Sequence, residues 1–294
     1  MLDEWLAEQL EIFFGRATEV VTDVYVRLPR RTPQDHPLEL AGWIQGPFCE
    51  GVRTLPGKTR FVDLGSGPTY LARASVPDLA FWSPGQPYRY RVTAELHQSG
   101  QCVARTSRWW GCHRLSVAGQ HILQGPRPIP LVAVHTAPDA IDWQLWSSME
   151  VAALIEDPKE DLLFEADRHG VPVVCYTDQE GDELLRRARR WARHPAAWLL
   201  VAHSWPTTCD PIQLTPNLIW ARWYQDAGQY READVPAVVI EEQVAAQLTE
   251  REPSRPIVIA RRCDNPLSDV EQALRHAAQW RKSWEGRWAG FFLW

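Results

Sequence analysis

Eight near-continuous apolar runs after Pro130 constrain this chain more than any other feature. They are LVAVHT (131–136), AALIED (152–157), PVVCYT (172–177), AWLLVAH (197–203), LIWARWY (218–224), AVVIEE (237–242), PIVIARR (256–262) and AGFFLW (289–294). A strand covered on both faces needs Val, Ile, Leu and Ala along its whole length, so the runs read as buried parallel strands. Helical patterns lie between several of them: DLLFEADRHG, DELLRRARRWARH and DVEQALRHAAQWRKSW. Eight such strands count out a compact (β/α)8 TIM-like barrel over residues 126–294. That half holds roughly 170 residues against ~250 for a typical barrel, so the helices after the fifth and sixth runs are expected to be very short or absent. An open doubly wound sheet is the alternative, although no glycine-rich phosphate loop accompanies it.

Residues 1–125 have a different rhythm. TEVVTDVYVRL (18–28), LELAGWIQGPF (38–48), TYLARASVP (69–77) and YRYRVTAEL (88–96) alternate or run apolar, with Pro-rich or turn residues between them. In the last of these Tyr90, Val92, Ala94 and Leu96 share one face, and HQSG then turns the chain into QCVARTSRWWG. Strands separated by turns every ten or so positions predict an antiparallel sandwich. Residues 2–14 are expected to form a short helix against it.

Charge and cysteine usage narrow the function. A net charge of −6 argues against nucleic acid, which needs clustered Lys and Arg. The single basic cluster, Arg186–Arg190 interrupted by Ala188, follows DELL and reads as a solvated helix face. No apolar window approaches the ~18 residues that span a bilayer, and MLDEWLAEQLEIFF lacks the basic start of a signal peptide. Six scattered cysteines without CxxC spacing fit reduced thiols in the cytoplasm, with a Cys102–Cys112 disulfide across a hairpin as the lesser alternative. The sixteen tryptophans suit both cores and the stacking of sugar rings, and most of them are expected in the core.

The segment joining the halves carries a pattern. FWSPGQPYRYRVTAEL, then WWGCHRL, then LSVAGQHILQGPRPIPLVAVH resembles glycoside hydrolase family 2. The matching residues are Trp82, Ser83, Pro84, Pro87 and Tyr90, then Gly111 with Arg114, then Gly125, with Gln124 where the family has Asn. ADRHGVPVV resembles the family's third barrel strand and preceding helix, ARHPAAWLLV its fourth strand, and FFLW its eighth. The resemblance implies an immunoglobulin-like β-sandwich followed by a barrel whose eighth-strand tryptophan, here Trp294, stacks on a sugar.

It also implies two carboxylates, acid/base and nucleophile, at the C-terminal ends of strands four and seven. Aligned on His194-Pro195, the family's Asn-Glu pair falls on Ser204 and Trp205; aligned on PIVIA, the nucleophile falls on Arg261. Neither an indole nor a guanidinium can accept a proton or attack an anomeric carbon. The expectation is a non-catalytic protein that binds a carbohydrate or a partner at the barrel mouth. Its ligand-binding candidates are His135, Asp157, His203, Trp205, Tyr224, Glu241, Glu242 and Trp294; Glu156, Asp178 and Asp226 also end strands or follow them.

Plainer readings stand beside these. Asp157, just before Pro158, suits a helix cap, Asp178 a loop or helix start, and a glutamate of the 241–242 pair an ion pair with Arg261. His135 and His203 serve equally as core histidines. An active glycoside hydrolase using Asp157 with Glu241 or Glu242, and a structural scaffold, are the rival functions. No cofactor is expected, and a metal held by His135, His203 and Glu241 has no spacing signature behind it.

Overall fold

The computed structural model describes residues 2–18, 20–30, 38–65, 67–204, 215, 217–224, 235–245, 255–261, 270–282 and 288–294. The chain divides into two compact units, 1–82 with 87–112, and 83–86 with 113–294. Among the described residues no helix is long and apolar enough to cross a membrane.

The first unit opens with α1 (Leu2–Gln9), then β1 (Glu11–Ala17) and β2 (Val21–Pro29). There follow β3 (Leu38–Phe48), β4 (Gly57–Arg60), β5 (Val62–Asp63), β6 (Thr69–Pro77), β7 (Arg89–Gln98) and β8 (Gln101–Trp110). They form two four-stranded sheets, ordered β1-β2-β6-β5 and β4-β3-β7-β8. Alternation decides which residues meet: Val24, Val26 and Leu28 from one sheet share a core with Leu40, Ile44, Val92 and Leu96 from the other. Gly42, at φ 134°, lets β3 close on β7, since a Cβ there would lie 2.0 Å from the Thr93 carbonyl oxygen. The expected helix over 2–14 is corrected, because it stops at Gln9. Ile12, Phe13 and Phe14 are β-forming residues that pair in register with Val26, Tyr25 and Val24. Cys102 is exposed and Cys112 buried, and no disulfide joins them.

The second unit begins with a three-stranded antiparallel sheet, β9 (Leu115–Ala118), β10 (His121–Gln124) and β11 (Arg127–Ile129). The sequence reading, with its boundary at 125, groups β9 and β10 with the sandwich. Eight parallel strands follow: β12 (Leu131–His135), β13 (Ala152–Glu156), β14 (Val173–Thr177), β15 (Ala197–Ala202), β16 (Ile219–Tyr224), β17 (Ala237–Glu241), β18 (Ile257–Arg261) and β19 (Gly290–Leu293). They close into a barrel, which removes the open-sheet alternative. Closure depends on Gly290, which pairs with Leu131 on one side and Val258 on the other. A Cβ at Gly290 would lie 1.9 Å from the Leu131 carbonyl oxygen.

Helices α2 (Trp143–Met149), α3 (Glu160–His169) and α4 (Gly181–Trp191) follow β12, β13 and β14 in turn. A four-residue helix, Glu242–Ala245, follows β17, and a longer one, Val270–Lys282, precedes β19. Asp142 caps α2 by accepting from the amides of Gln144 and Leu145. Two polar ties fix this half of the barrel. Asp167 on α3 accepts from His194 Nδ1 at 2.7 Å and from the Ala196 amide at 2.9 Å. The Trp191 indole donates to the Pro158 carbonyl at 3.0 Å. Arg186 and Arg187 pair with Glu183 along the outer face of α4, so the basic run is a salt-bridged helix face.

Candidate functional site

In a strand, alternate side chains point to opposite faces, and that parity divides the candidates at the C-terminal ends of the barrel strands. His135, Tyr176, His203, Trp223 and Trp294 meet in one aromatic cluster. Trp294 stacks on His135 at 4.6 Å between ring centroids and meets Tyr176 and Trp223 edge-on at 5.1 Å each. Tyr176 packs on Trp223 at 5.7 Å, and His203 lies 5.8 Å from Tyr176 and 6.1 Å from Trp223. Because β14, β16 and β19 are not neighbours in the barrel, these contacts run across its interior. The rings therefore gather at the C-terminal end of the barrel interior, with His135, His203 and Trp294 partly exposed.

Polar groups tie the cluster together. The Tyr176 hydroxyl donates to Asp178 Oδ1 and lies 3.0 Å from His203 Nε2, which is 3.6 Å from the same carboxylate. Burial, the Asp178 hydrogen bond and the nearby charges of Asp178, Glu156 and Asp157 push the Tyr176 hydroxyl far above the usual phenol range. The His135 imidazole is pulled down by burial, a trend the Glu156 carboxylate opposes. Among the described residues the buried Trp223 indole NH has no hydrogen-bond partner.

The remaining candidates are elsewhere. Asp157 does not cap the following helix. Its backbone is left-handed at φ 45°, and its Oδ1 accepts from the Thr177 hydroxyl at 2.6 Å and pairs with Arg187. Asp178 is a loop residue before α4, whose N-cap is Glu180. Tyr224 has the opposite parity to Trp223 and joins a separate apolar cluster with Val238, Ile240, Ile257 and Ile259. Arg261 binds Glu242 through both Nε, at 2.7 Å, and a terminal nitrogen, with both side chains about half exposed. The hydrogen bonds and charge of Arg261 hold the Glu242 carboxyl below its usual range against the pull of burial. Glu241 ends β17, half-buried. His135, His203 and Glu241 are not gathered as metal ligands; among the described residues the group that could hold an ion lies in the first unit. Trp205 and Asp226 lie outside the described residues, as do Cys209 and Cys263.

Sequence reasoning missed Tyr176 and Trp223. Both sit in runs apolar on both faces, where composition does not tell which parity points inward, as the adjacent Trp223 and Tyr224 show.

No protein-family model matches the chain, and no curated protein matches it in sequence. Solved structures do share its fold. A β-glucuronidase from Bacteroides uniformis superimposes with a TM-score of 0.67 at 15% identity, covering 97% of this chain and 45% of that one. A putative β-galactosidase from Bacteroides fragilis gives 0.66 at 12% identity, covering 98% and 54%. A glycosyl hydrolase family 2 member from Bacteroides cellulosilyticus gives 0.67 at 13% identity, covering 98% and 43%. The chain spans about half the length of these structures, and it has a glycoside-hydrolase-like fold.

Proposed function

We propose that this chain is a non-catalytic relative of the family 2 glycoside hydrolases. It joins an immunoglobulin-like sandwich to a compact (β/α)8 barrel and holds a carbohydrate or a partner at the barrel mouth. The observation that supports a binding role is the ring cluster of His135, Tyr176, His203, Trp223 and Trp294, which gathers aromatic faces at the C-terminal ends of the barrel strands. His135, His203 and Trp294 are the partly exposed members, so a sugar would meet the Trp294 edge of the cluster and the polar rim of His203 and Asp178.

The carboxylates that a relocated mechanism would use argue the same way. A general acid must hold its proton near neutral pH. Glu242 instead lies below its usual range under Arg261, and Asp157 is engaged by Arg187 and Thr177. The sequence resemblance would put the nucleophile position on Arg261 and the acid/base position on Trp205, and neither side chain can take that role.

Two measurements test the proposal. Titrating a glycan panel while following tryptophan fluorescence should give a saturable change that Trp294→Ala abolishes with the melting curve preserved. Silence across the panel would leave only the scaffold reading. Aryl glycosides should show no turnover; hydrolysis lost on Glu241→Gln or Asp157→Asn would establish the rival enzyme reading.

A further inference from the structure

The first unit carries a group of side chains that the barrel reading does not use. Glu95 and His97 lie two apart on β7 and so share the sheet face opposite Val92, Ala94 and Leu96, which point into the core. Across the hairpin the ladder runs regularly from Tyr90↔Trp110 to Leu96↔Ala104, then shifts by one residue, so that His97 faces Cys102 rather than Val103. That bulge aims the Cys102 side chain at His97; bulges commonly re-aim a single side chain in this way. The ligand atoms of Glu95, His97 and Cys102 all lie within 4.8 Å of one another, and His97 Nε2 is 3.1 Å from Glu95 Oε2. Tetrahedral zinc with bonds of about 2.0–2.3 Å separates its ligands by about 3.3–3.6 Å, so a shift of roughly an ångström gathers the three.

We propose that Glu95, His97 and Cys102 form a binding site for a borderline divalent cation of the zinc type. Carboxylate, imidazole and thiolate are the three ligand types zinc accepts, and three protein ligands leave a fourth position for water. Glu39 on β3 faces His97 from the other side in register and adds negative charge near the site. Burial works against the Glu95 charge, but hydrogen bonds from His97 and Arg105 outweigh it, so the carboxylate is already ionised. The competing cation is Arg105, which pairs with Glu95 Oε1. On binding, the Cys102 thiol releases its proton to solvent, His97 coordinates as neutral imidazole through Nε2, and Arg105 gives up Glu95 to the metal.

The alternative is an ion-pair cluster of Glu95, His97 and Arg105 beside an unrelated thiol. Titrating the full chain with zinc chloride in a non-chelating buffer, with cobalt(II) absorbance in parallel, separates the two. The expected result is one saturable site with a thiolate-to-cobalt charge-transfer band. Cys102→Ser should remove the band, and both Cys102→Ser and His97→Ala should weaken zinc by at least about tenfold. Arg105→Ala should tighten zinc binding, because it removes the competing cation. Circular dichroism melts confirm that each variant is folded. No saturable binding, or binding that neither Cys102→Ser nor His97→Ala weakens, overturns the site.

Discussion

His113, Tyr90 and Tyr176 set limits on the pH range in which the fold is stable. Burial pulls the His113 imidazole down to about 4, with the backbone of Asn217 and Ala197 opposing it. An unfolded histidine takes its proton near pH 6.5, so between there and about 4 each proton favours the unfolded chain. Stability should fall across that window by up to about 3 kcal/mol from this group, and His113→Gln should flatten the fall in urea melts followed against pH. The tyrosines act at the other end. Burial chiefly raises both hydroxyls, that of Tyr90 also opposed by the Ala80 amide it accepts from. Their contribution is complete below pH ~10 and is lost as the unfolded chain ionises above it. Asp167 makes a third prediction: removing it leaves His194 and the Ala196 amide without their acceptor. Asp167→Ala should cost about 3–5 kcal/mol, read from chemical denaturation.

At the scale of elements, β19 is the sensitive part of the barrel. Gly290→Ala forces a methyl against the Leu131 backbone, which cannot move without breaking the β12–β19 pairing. A loss of at least about 2 kcal/mol is expected, larger than the same substitution at Gly125, where the space is open. Deleting residues 289–294 should expose the edges of β12 and β18 and bring aggregation on heating; a deletion variant that melts like the full chain would contradict the closure. The strands were legible because each barrel run is apolar along its length, and the helices because their patterns are amphipathic. β1 was not, because the apolar residues of LDEWLAEQLEIFF fit a helix until pairing with β2 decides otherwise. Parity was hidden for a related reason. Trp223 and Tyr224 both face apolar surroundings, so the sequence could not say which one enters the mouth. Asp157 was misread because Pro158 invites a cap, whereas Thr177 and Arg187, distant in sequence, supply its partners.

For the whole molecule, the two rhythms of the chain translate into two compact units, and the resemblance at their junction matches solved structures whose sequences agree at only 12–15% of positions. Identity that low preserves burial patterns and leaves chemistry free to diverge, which is why the barrel could be read and the ring cluster in its mouth could not. The β12–β19 pair carries a further consequence, in time rather than in space. Leu131 and Gly290 belong to the first and last barrel strands in sequence, yet they are paired neighbours in the closed barrel. While the chain is being synthesised, β12 emerges first and must wait, one side bare, for seven other strands. The entropic toll of joining such distant segments grows only slowly with their separation, but the search is slow. Through that interval a newly made molecule is an open, sticky sheet, and its fate rests on whether the last strand arrives before another molecule's edge does.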